Sequence, residues 1–391
     1  MTEYTTMEER LTASVYRMFG AFLNQPRVNF GSAHYNYDPR VDFPLLKSVQ
    51  IGKIIDAIQS GKPIDFLGKL GINPPEEVIR EIILDETSLR PAVHQISPVY
   101  ASTRFVIQLV LTELVNSSRK RVALPTPNWH FWSLGHPDWF VHFDAFNEEQ
   151  LVEGFRSEVD YGDIGSVLLS FPATPLMYTP SDDALREMNR IASKSGVNVI
   201  VDDVLRGVQP IGQRDSIARF FDSPYVIEGF SKRFGVTMGD LSYILSPDSK
   251  LIRVPVNEGS ALISSLVLDH CYRNHTKKAI EELRERNVAF DNGLSQYAPI
   301  GTEVLRPSPT HLTSLIRLPS DLSYCDSEVA EALNNQLGIC TAPLSRFLAD
   351  PNRRHTHHPA LRITVGQMDK DEIYSGAFEL GQCIGKIYES R

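Results

Sequence analysis

The sequence predicts an α/β fold, with a large domain built on a mainly parallel, mixed sheet flanked by helices and a smaller α+β domain at the C-terminal end. Between about residues 96 and 230, short apolar runs alternate with helical patterns, as in parallel sheets covered by helices. Two of these runs, VLLS at 167–170 and VNVIV at 197–201, are apolar on both faces, which is typical of buried parallel strands. From about residue 300 the predicted elements become shorter, which indicates a second domain.

The chain of 391 residues is long enough for two domains. We expect an N-terminal helix and arm over residues 1–50, which belongs to the small domain or to an active-site loop. A large α/β domain should follow over 51–285, and a small C-terminal domain over 286–391. The spacing of apolar residues predicts helices at 1–24, 46–60, 74–86, 105–115, 182–195, 276–286, 327–338 and 369–389, and strands at 121–125, 139–143, 167–170, 197–201, 225–227, 312–319 and 361–366.

The composition favours a soluble, cytoplasmic protein. Hydrophobic residues make up 42% and charged residues 22%, which is ordinary for globular domains. The net charge of −9 argues against a non-specific nucleic-acid surface. The N-terminus does not have the pattern of a secretory signal, and no apolar run is long enough to cross a bilayer. The four cysteines are scattered without metal-binding spacing, which favours a reducing compartment: Cys271, Cys325, Cys340 and Cys383.

A lysine stands at the end of one predicted strand, between small residues. In VIEGFSKRFG an apolar run leads through Gly229 and Ser231 to Lys232. Desolvating an ammonium group costs several kcal/mol unless it is paired, neutral or covalently used, so the position is unusual for a structural lysine, although a surface turn would also accept it. Three further motifs accompany it along the chain: VLLSFPATP, VNVIVDDVLRG and ALRITVG.

This order of motifs resembles the fold-type I pyridoxal phosphate (PLP) enzymes, specifically a divergent member of the class I/II aminotransferase family. The resemblance covers roughly residues 95–391. It implies PLP as the cofactor, an amino acid as the substrate and a homodimer as the assembly. It also implies that Lys232 is the catalytic residue, which holds PLP as a Schiff base and later transfers protons.

Two acidic and two aromatic residues are the candidates for the cofactor ring. The resemblance implies that Asp202, which ends a buried run, faces the pyridine nitrogen, with Asp203 as the alternative. A carboxylate in such a place needs a cationic partner. It also implies that Trp129, in PTPNWHFW, stacks on the ring, with Trp132 as the neighbouring alternative.

The phosphate is expected at the start of the helix that contains Phe105. The resemblance implies that Ala101, Ser102 and Thr103 offer backbone N–H groups and hydroxyls there, where a helix N-terminus favours an anion. An ordinary Ser/Thr cap would explain the same residues. Ser231, directly before the lysine, is a further candidate contact to the cofactor.

For the substrate, the resemblance implies that Arg362, in ALRITVG, binds the α-carboxylate, although a surface salt bridge would also explain it. The segment AHYNYDPR supplies weaker candidates. His34 and Tyr35 are expected to contact the substrate, and Tyr37 or Tyr35 to reach the phosphate of a second subunit. The structural alternative for this segment is a loop with packed aromatic residues.

Several positions depart from the family pattern. Thr174 stands where the family has the asparagine that bonds the cofactor's phenolic oxygen, and Leu205 stands where it has a tyrosine. Gly229 replaces a serine. Asp240 replaces the arginine that pairs with the phosphate, which makes Arg233 and Arg104 candidate replacements.

These departures leave three functions open. The expected reaction is exchange of an amino group between an amino acid and a 2-oxo acid. A specialised elimination, cyclisation or oxidation of an amino acid is the first alternative, and a PLP-fold binding or regulatory protein without catalysis is the second. We expect no metal site, because His355, His357 and His358 do not have a familiar zinc spacing.

Overall fold

A computed structural model of the chain describes residues 28–29, 74–129, 132–133, 136–210, 212–234, 241–247, 268, 272, 276–319, 324–349, 357–366 and 368–389. The helices expected at 1–24 and 46–60 lie outside these residues, as do His34, Tyr35, Tyr37 and Asp240.

The strands are β1 (Val28–Asn29), β2 (Ile96–Tyr100), β3 (Arg121–Thr126), β4 (Phe140–Asp144), β5 (Ile164–Ser170), β6 (Asn198–Asp202), β7 (Tyr225–Gly229), β8 (Leu241–Leu245), β9 (Glu303–Leu305), β10 (Thr313–Arg317), β11 (Ile339–Cys340), β12 (Ala342–Pro343) and β13 (Ala360–Thr364). The helices are α1 (Pro75–Glu86), α2 (Thr103–Ser118), α3 (Glu148–Asp160), α4 (Asp182–Ser195), α5 (Ser231–Phe234), α6 (Thr276–Leu294), α7 (Asp326–Leu337) and α8 (Lys370–Glu389).

The large domain is organised by a sheet in which the described strands follow the order β2-β8-β7-β6-β5-β3-β4. Strands β3 to β7 are parallel, and β8 is antiparallel to both of its neighbours. The prediction of a mainly parallel, mixed sheet is therefore confirmed. Every residue of β5 and β7 is buried, as the apolar runs predict for strands covered on both faces. The carboxyl ends of β2, β3, β5, β6 and β7 meet at one edge of this sheet, which is where open α/β sheets bind ligands.

Several helix boundaries lie close to the predicted ones, although α6 ends at Leu294, eight residues beyond its predicted end at 286. Helix α4 begins after Ser181, whose hydroxyl accepts a hydrogen bond of 3.2 Å from the backbone N–H of Ala184. It ends at Gly196, whose φ of 66° lies in the left-handed region that favours glycine. Helix α1 begins at Pro75, where the missing N–H would be unpaired in any residue. Within the described residues, no helix has both the length and the hydropathy that a membrane span requires.

The small domain is an antiparallel sheet in the order β12-β13-β10-β9, covered by α6 and α8. These two helices approach closely at Gly293 and Gly381. A Cβ atom at Gly293 would lie 2.4 Å from the carbonyl oxygen of Tyr374, and one at Gly381 would lie 2.8 Å from that of Leu294. The expected boundary between residues 285 and 286 falls inside α6, which packs into the small-domain core on both sides of it.

This close approach predicts the effect of adding one methyl group. Gly293→Ala should lower the free energy of unfolding by about 1–3 kcal/mol, because α6 and α8 must move apart to admit the Cβ atom. The control is Asn292→Ala, the exposed residue before it, which should be neutral or slightly stabilising. Urea unfolding of both variants checks this, and equal stabilities would contradict the packing described here.

Candidate active site

The carboxyl edge of the large sheet brings the predicted lysine and aspartate together. Lys232 lies in the single turn of α5, directly after β7, and Asp202 is the last residue of the neighbouring strand β6. The pKa of Lys232 is lowered to about 8, mainly by burial and in addition by the positive charges of Arg362 and Arg104, while the charge of Asp202 opposes them. Lys232 therefore interacts electrostatically with all three of these side chains.

The carboxyl group of Asp202 is buried where its charged form is unfavourable. It is 4% exposed, and its Oδ1 accepts a hydrogen bond of 3.1 Å from the backbone N–H of Val204. Its pKa is raised to about 7, mainly by burial and in part by the charge of Asp203, against the hydrogen bonds from Val204 and Ser170 and the charge of Lys232. A cation placed beside Asp202 would stabilise its carboxylate form.

The alternative residue, Asp203, faces other partners. Its Oδ2 lies 3.6 Å from Nε of Arg206, and burial raises its pKa to about 7 against the charge of Arg206 and a hydrogen bond from Ser216. Lys232 acts on Asp202. The geometry therefore favours Asp202 over Asp203 as the group that faces the site.

Arg362 lies on β13 of the small domain and is 1% exposed. Its guanidinium carbon is 5.5 Å from the ring centroid of Trp129 and 5.3 Å from that of Phe347, which is within cation–π range. Burial lowers the pKa of Arg362 to about 10. A ligand carboxylate would offset this desolvation. Trp129 is placed beside this arginine, whereas Trp132 is buried in the core with α2.

The loop that carries Trp129 is tied to the small domain by backbone hydrogen bonds. The N–H of Asn128 donates to the carbonyl oxygen of Phe347 at 3.1 Å, and the N–H of Ala349 donates to Oγ1 of Thr126 at 3.1 Å. The two aromatic rings beside Arg362, those of Trp129 and Phe347, therefore come from different domains, and these hydrogen bonds fix their positions relative to each other.

Thr174 follows β5 at the same edge and is buried. Its Oγ1 atom has no hydrogen-bond partner among the described residues. Leu205 is buried as well, 7% exposed, and brings no polar atom. Since buried hydroxyls are nearly always hydrogen-bonded, Thr174 is suited to pair with a polar atom of a bound molecule.

The start of α2 has a cap and a close contact. Ser102 is the N-cap, and its hydroxyl accepts a hydrogen bond of 3.3 Å from the N–H of Phe105. The ordinary cap is therefore present, and the hydroxyl of Thr103 lies 3.2 Å from that of Ser242, which donates to the carbonyl oxygen of Ala101 at 3.0 Å. These contacts fix the helix start against the edge of the sheet.

This packing explains why glycine stands at position 229, where the family pattern has a serine. A Cβ atom at Gly229 would lie 1.9 Å from Oγ1 of Thr103 and 3.1 Å from Oγ of Ser242. Only glycine allows α2 to approach the end of β7 this closely.

Arg233 does not have the position expected of a phosphate ligand. Its side chain is buried, with Nη1 donating to Oε2 of Glu86 at 2.9 Å and Nη2 donating to Oε1. The expectation that Arg233 replaces the missing arginine is therefore corrected, because its guanidinium is engaged by a carboxylate. Arg104, in the first turn of α2, is the remaining cation of the two. Ser231, the first residue of α5, is exposed.

Sequence reasoning missed the group of buried charges to which Arg233 belongs. We call Glu86, Arg206, Arg214, Glu228 and Arg233 the arginine cluster. No local motif marks these residues, which come from five separate segments of the chain.

The histidine-rich segment contributes structural contacts. His357 Nε2 lies 3.0 Å from Oδ2 of Asp326, and His358 Nε2 lies 2.7 Å from the carbonyl oxygen of Leu318. His355 lies outside the described residues. In the part of the chain that the structure covers, no three His, Cys, Asp or Glu side chains are grouped as a metal site would require.

Comparisons with known proteins bear on the fold. No protein-family model matches the sequence, and no curated protein matches it. Among solved structures, an archaeal alanine:glyoxylate aminotransferase superposes with a TM-score of 0.73 at 16% identity, covering 100% of this chain and 99% of the other. The aspartate aminotransferase of Thermus thermophilus, solved with maleate, gives 0.68 at 14% identity and 97% of both chains. MppP, soaked with the product 2-ketoarginine, gives 0.66 at 14% identity, covering 92% of this chain and all of the other.

The chain has the fold of the fold-type I PLP transferases. The prediction of this fold is confirmed over the whole length of the chain, although the sequences share few identical residues. In the fold-type I architecture seen here, Lys232 and Asp202 lie at the carboxyl ends of adjacent parallel strands, and Arg362 reaches the same edge from the small domain.

The raised pKa of Asp202 predicts a pH dependence of stability for this fold-type I protein when it is free of ligands. The folded value of about 7 exceeds the unfolded value of 3.8, so the folded state binds the proton more tightly. The stabilisation is complete below pH 3.8 and is lost as the pH rises to about 7, by about 4 kcal/mol.

Asp202→Asn, which carries no titrating proton, should remove this part of the dependence. Urea unfolding at pH 5 and pH 8 measures it, with the exposed Asp160→Asn as control. A variant at position 202 that keeps the wild-type difference between the two pH values would show that another group is responsible.

Proposed function

We propose that the chain is a PLP-dependent enzyme that acts on an amino acid, and that it transfers the amino group to a 2-oxo acid. The observation that carries this proposal is the convergence of Lys232, Asp202 and Arg362 at the carboxyl edge of the sheet. Removing an amine, a carboxyl group and a guanidinium from water costs free energy, which a ligand with complementary groups would offset. The structural neighbours named as aminotransferases support the same reading.

The residues present fit PLP. Lys232 would hold its aldehyde carbon, and Asp202 would face the ring nitrogen. Thr174, whose buried hydroxyl has no partner among the described residues, would bond the phenolic oxygen. The N-terminus of α2 would hold the phosphate, with Arg104 as the positive charge in place of the arginine that Asp240 displaces.

The chemistry divides between cofactor and protein. PLP, when bound, supplies a ring that accepts electrons from the substrate Cα atom. Burial lowers the pKa of Lys232 to about 8 in the ligand-free protein. Once the substrate amine has replaced it on the cofactor, the free amine of Lys232 would be partly neutral near pH 8 and able to take a proton from Cα and return it. Arg362 binds the α-carboxylate, and the rings of Trp129 and Phe347 restrict the guanidinium before the substrate arrives.

The finer parts of the proposal concern the assembly. We propose a cytoplasmic homodimer, in which Tyr37 reaches the phosphate of the second subunit while His34 and Tyr35 contact the substrate. The family resemblance supports this arrangement, as does the scatter of the four cysteines, which suits a reducing compartment.

A second candidate function is a specialised reaction on an amino acid, such as elimination, cyclisation or oxidation. The observation that favours it is the loss of polar groups around the cofactor's phenolic oxygen, where Leu205 is buried and Thr174 offers one hydroxyl. A binding protein without catalysis is disfavoured because it would have little reason to keep Lys232, Asp202 and Arg362 together.

Replacing the lysine tests the cofactor assignment. Wild-type protein mixed with PLP should show a visible absorption band, and reduction with borohydride should attach the cofactor to Lys232, as peptide mass spectrometry would show. Lys232→Ala should lose the band, because it has no amine to bond the aldehyde. Lys194→Ala, at an exposed position of α4, should keep it. Wild-type protein without the band would refute the proposal.

Replacing the arginine tests the substrate assignment. Arg362→Gln should raise KM for the amino acid about ten- to hundredfold, because a charged hydrogen-bonded pair is lost, and should still bind PLP and show its visible band. Arg317→Gln, at an exposed position of β10, is the matched control. Steady-state kinetics decide, and an unchanged KM would exclude Arg362 from carboxylate binding.

Product analysis separates the reactions. The PLP-loaded protein is incubated with a panel of amino acids and 2-oxo acids, and products are identified by mass spectrometry. Paired formation of a new amino acid and a new 2-oxo acid supports amino transfer. Release of ammonia, or a cyclic or oxidised product, supports the second candidate, and absence of turnover across the panel would refute both enzymatic proposals.

A further inference from the structure

Glu86, the last residue of α1, is the centre of the arginine cluster. Its Oε2 accepts hydrogen bonds from Nη1 of Arg206 at 3.2 Å and from Nη1 of Arg233 at 2.9 Å. Its Oε1 accepts hydrogen bonds from Arg214 and from the second Nη atom of Arg233. One carboxylate therefore binds three guanidinium groups.

The cluster is buried and its charges depend on one another. The side chain of Glu86 is 6% exposed, and those of the three arginines are 0–3% exposed. Burial alone would raise the pKa of Glu86, but the charge of Arg233 first, and those of Arg214 and Arg206 after it, lower the pKa below its ordinary value. Removing this carboxylate would leave buried guanidinium groups with too few anions around them.

The cluster joins the two segments that carry the proposed cofactor residues. Arg233 directly follows Lys232 in α5. Arg206 lies on the segment after β6, where its Nε is 3.6 Å from Asp203, the neighbour of Asp202. Arg206 also donates to Glu228, near the end of β7, and the hydroxyl of Tyr243 donates to the same oxygen at 2.7 Å.

Helix α5 depends on such an anchor. It is a single turn of four residues, which is too short to be stable by its own hydrogen bonds. The stem of Arg233 passes directly over Gly207, where a Cβ atom would lie 2.8 Å from Cδ of Arg233. The path of this side chain from α5 to Glu86 is therefore fitted to the backbone around it.

We propose that Glu86 is a positioning residue for Lys232: by holding the guanidinium of Arg233 it fixes α5, and so sets the place of the lysine amine relative to Asp202. This inference rests on the proposed function, in which Lys232 binds PLP. Glu86 acts through Arg233, and its role is to orient the lysine before the cofactor arrives.

The first test measures the lysine in the ligand-free protein. Competitive labelling with acetic anhydride across a pH series, followed by peptide mass spectrometry, gives the titration midpoint of Lys232. In Glu86→Gln the midpoint should move by about one pH unit, because the amine shifts relative to Asp202 and Arg362. The control is Asp291→Asn, which breaks a two-bond pair with Arg306 at 2.7 Å in the small domain and should leave the midpoint unchanged.

The second test measures cofactor binding. Glu86→Gln should weaken PLP binding about tenfold and shift the pH titration of the visible band, whereas Asp291→Asn should lower stability without either change. Arg233→Lys keeps the charge but not the two-bond contact with Glu86, and it should behave like Glu86→Gln. If Glu86→Gln does not fold, this second variant decides.

The outcomes separate the two proposals. A wild-type protein that binds no PLP refutes the proposed function, and this inference with it. A wild type that binds PLP, together with variants at 86 and 233 that keep its labelling midpoint and its PLP affinity, refutes only the positioning role. Changes of the same size in Asp291→Asn would also refute it, since they would arise from general loss of stability.

Discussion

The cost of removing charge from water is the constraint on which this structure depends. At the carboxyl edge of the sheet, Lys232, Asp202 and Arg362 are partly or fully desolvated. The pKa values of Lys232 and Arg362 are lowered and that of Asp202 is raised, so each shift favours the neutral form. Burial contributes most in each case. The charges of Arg362 and Asp202 act on Lys232 without cancelling that cost, so a ligand with complementary charged groups would be stabilised at this edge.

The arginine cluster, which contains the residue directly after Lys232, has a different balance of charges. There, buried charges are paired closely, with Glu86 and Glu228 distributed among three guanidinium groups. The pairing is incomplete, since Nη2 of Arg214 and Oε1 of Glu228 are buried without a hydrogen-bond partner among the described residues. Most of the contacts nevertheless join charges of opposite sign, so moving one member would leave another without its partner. Through Arg233, which directly follows Lys232, this network limits where α5 can lie.

The sequence was sufficient where a signal is local. Apolar runs predicted the buried strands, and apolar spacing predicted α4 over residues 182–195. The family resemblance implied one site for Asp202 and Lys232, and the structure places both at the carboxyl ends of adjacent parallel strands. The arginine cluster was not predictable, because the residues that contact Glu86 lie 120 to 147 positions away in the chain. For the same reason Arg233 was predicted to bind the phosphate rather than Glu86. Its place next to Lys232 in the sequence does not show in which direction its side chain extends from α5.

The departures from the family pattern at positions 174 and 205 change which polar groups lie near Lys232. Leu205 and Thr174 bring fewer hydrogen-bond donors to the edge than the family's tyrosine and asparagine would. Positive charge is retained, because both Arg362 and Arg104 act on Lys232. A charge acts over a longer distance than a hydrogen bond and varies less with small movements. After burial, the positive charges of Arg362 and Arg104 are the largest influences on the pKa of Lys232, so an anion bound at Arg362 would weaken one of them and raise that pKa.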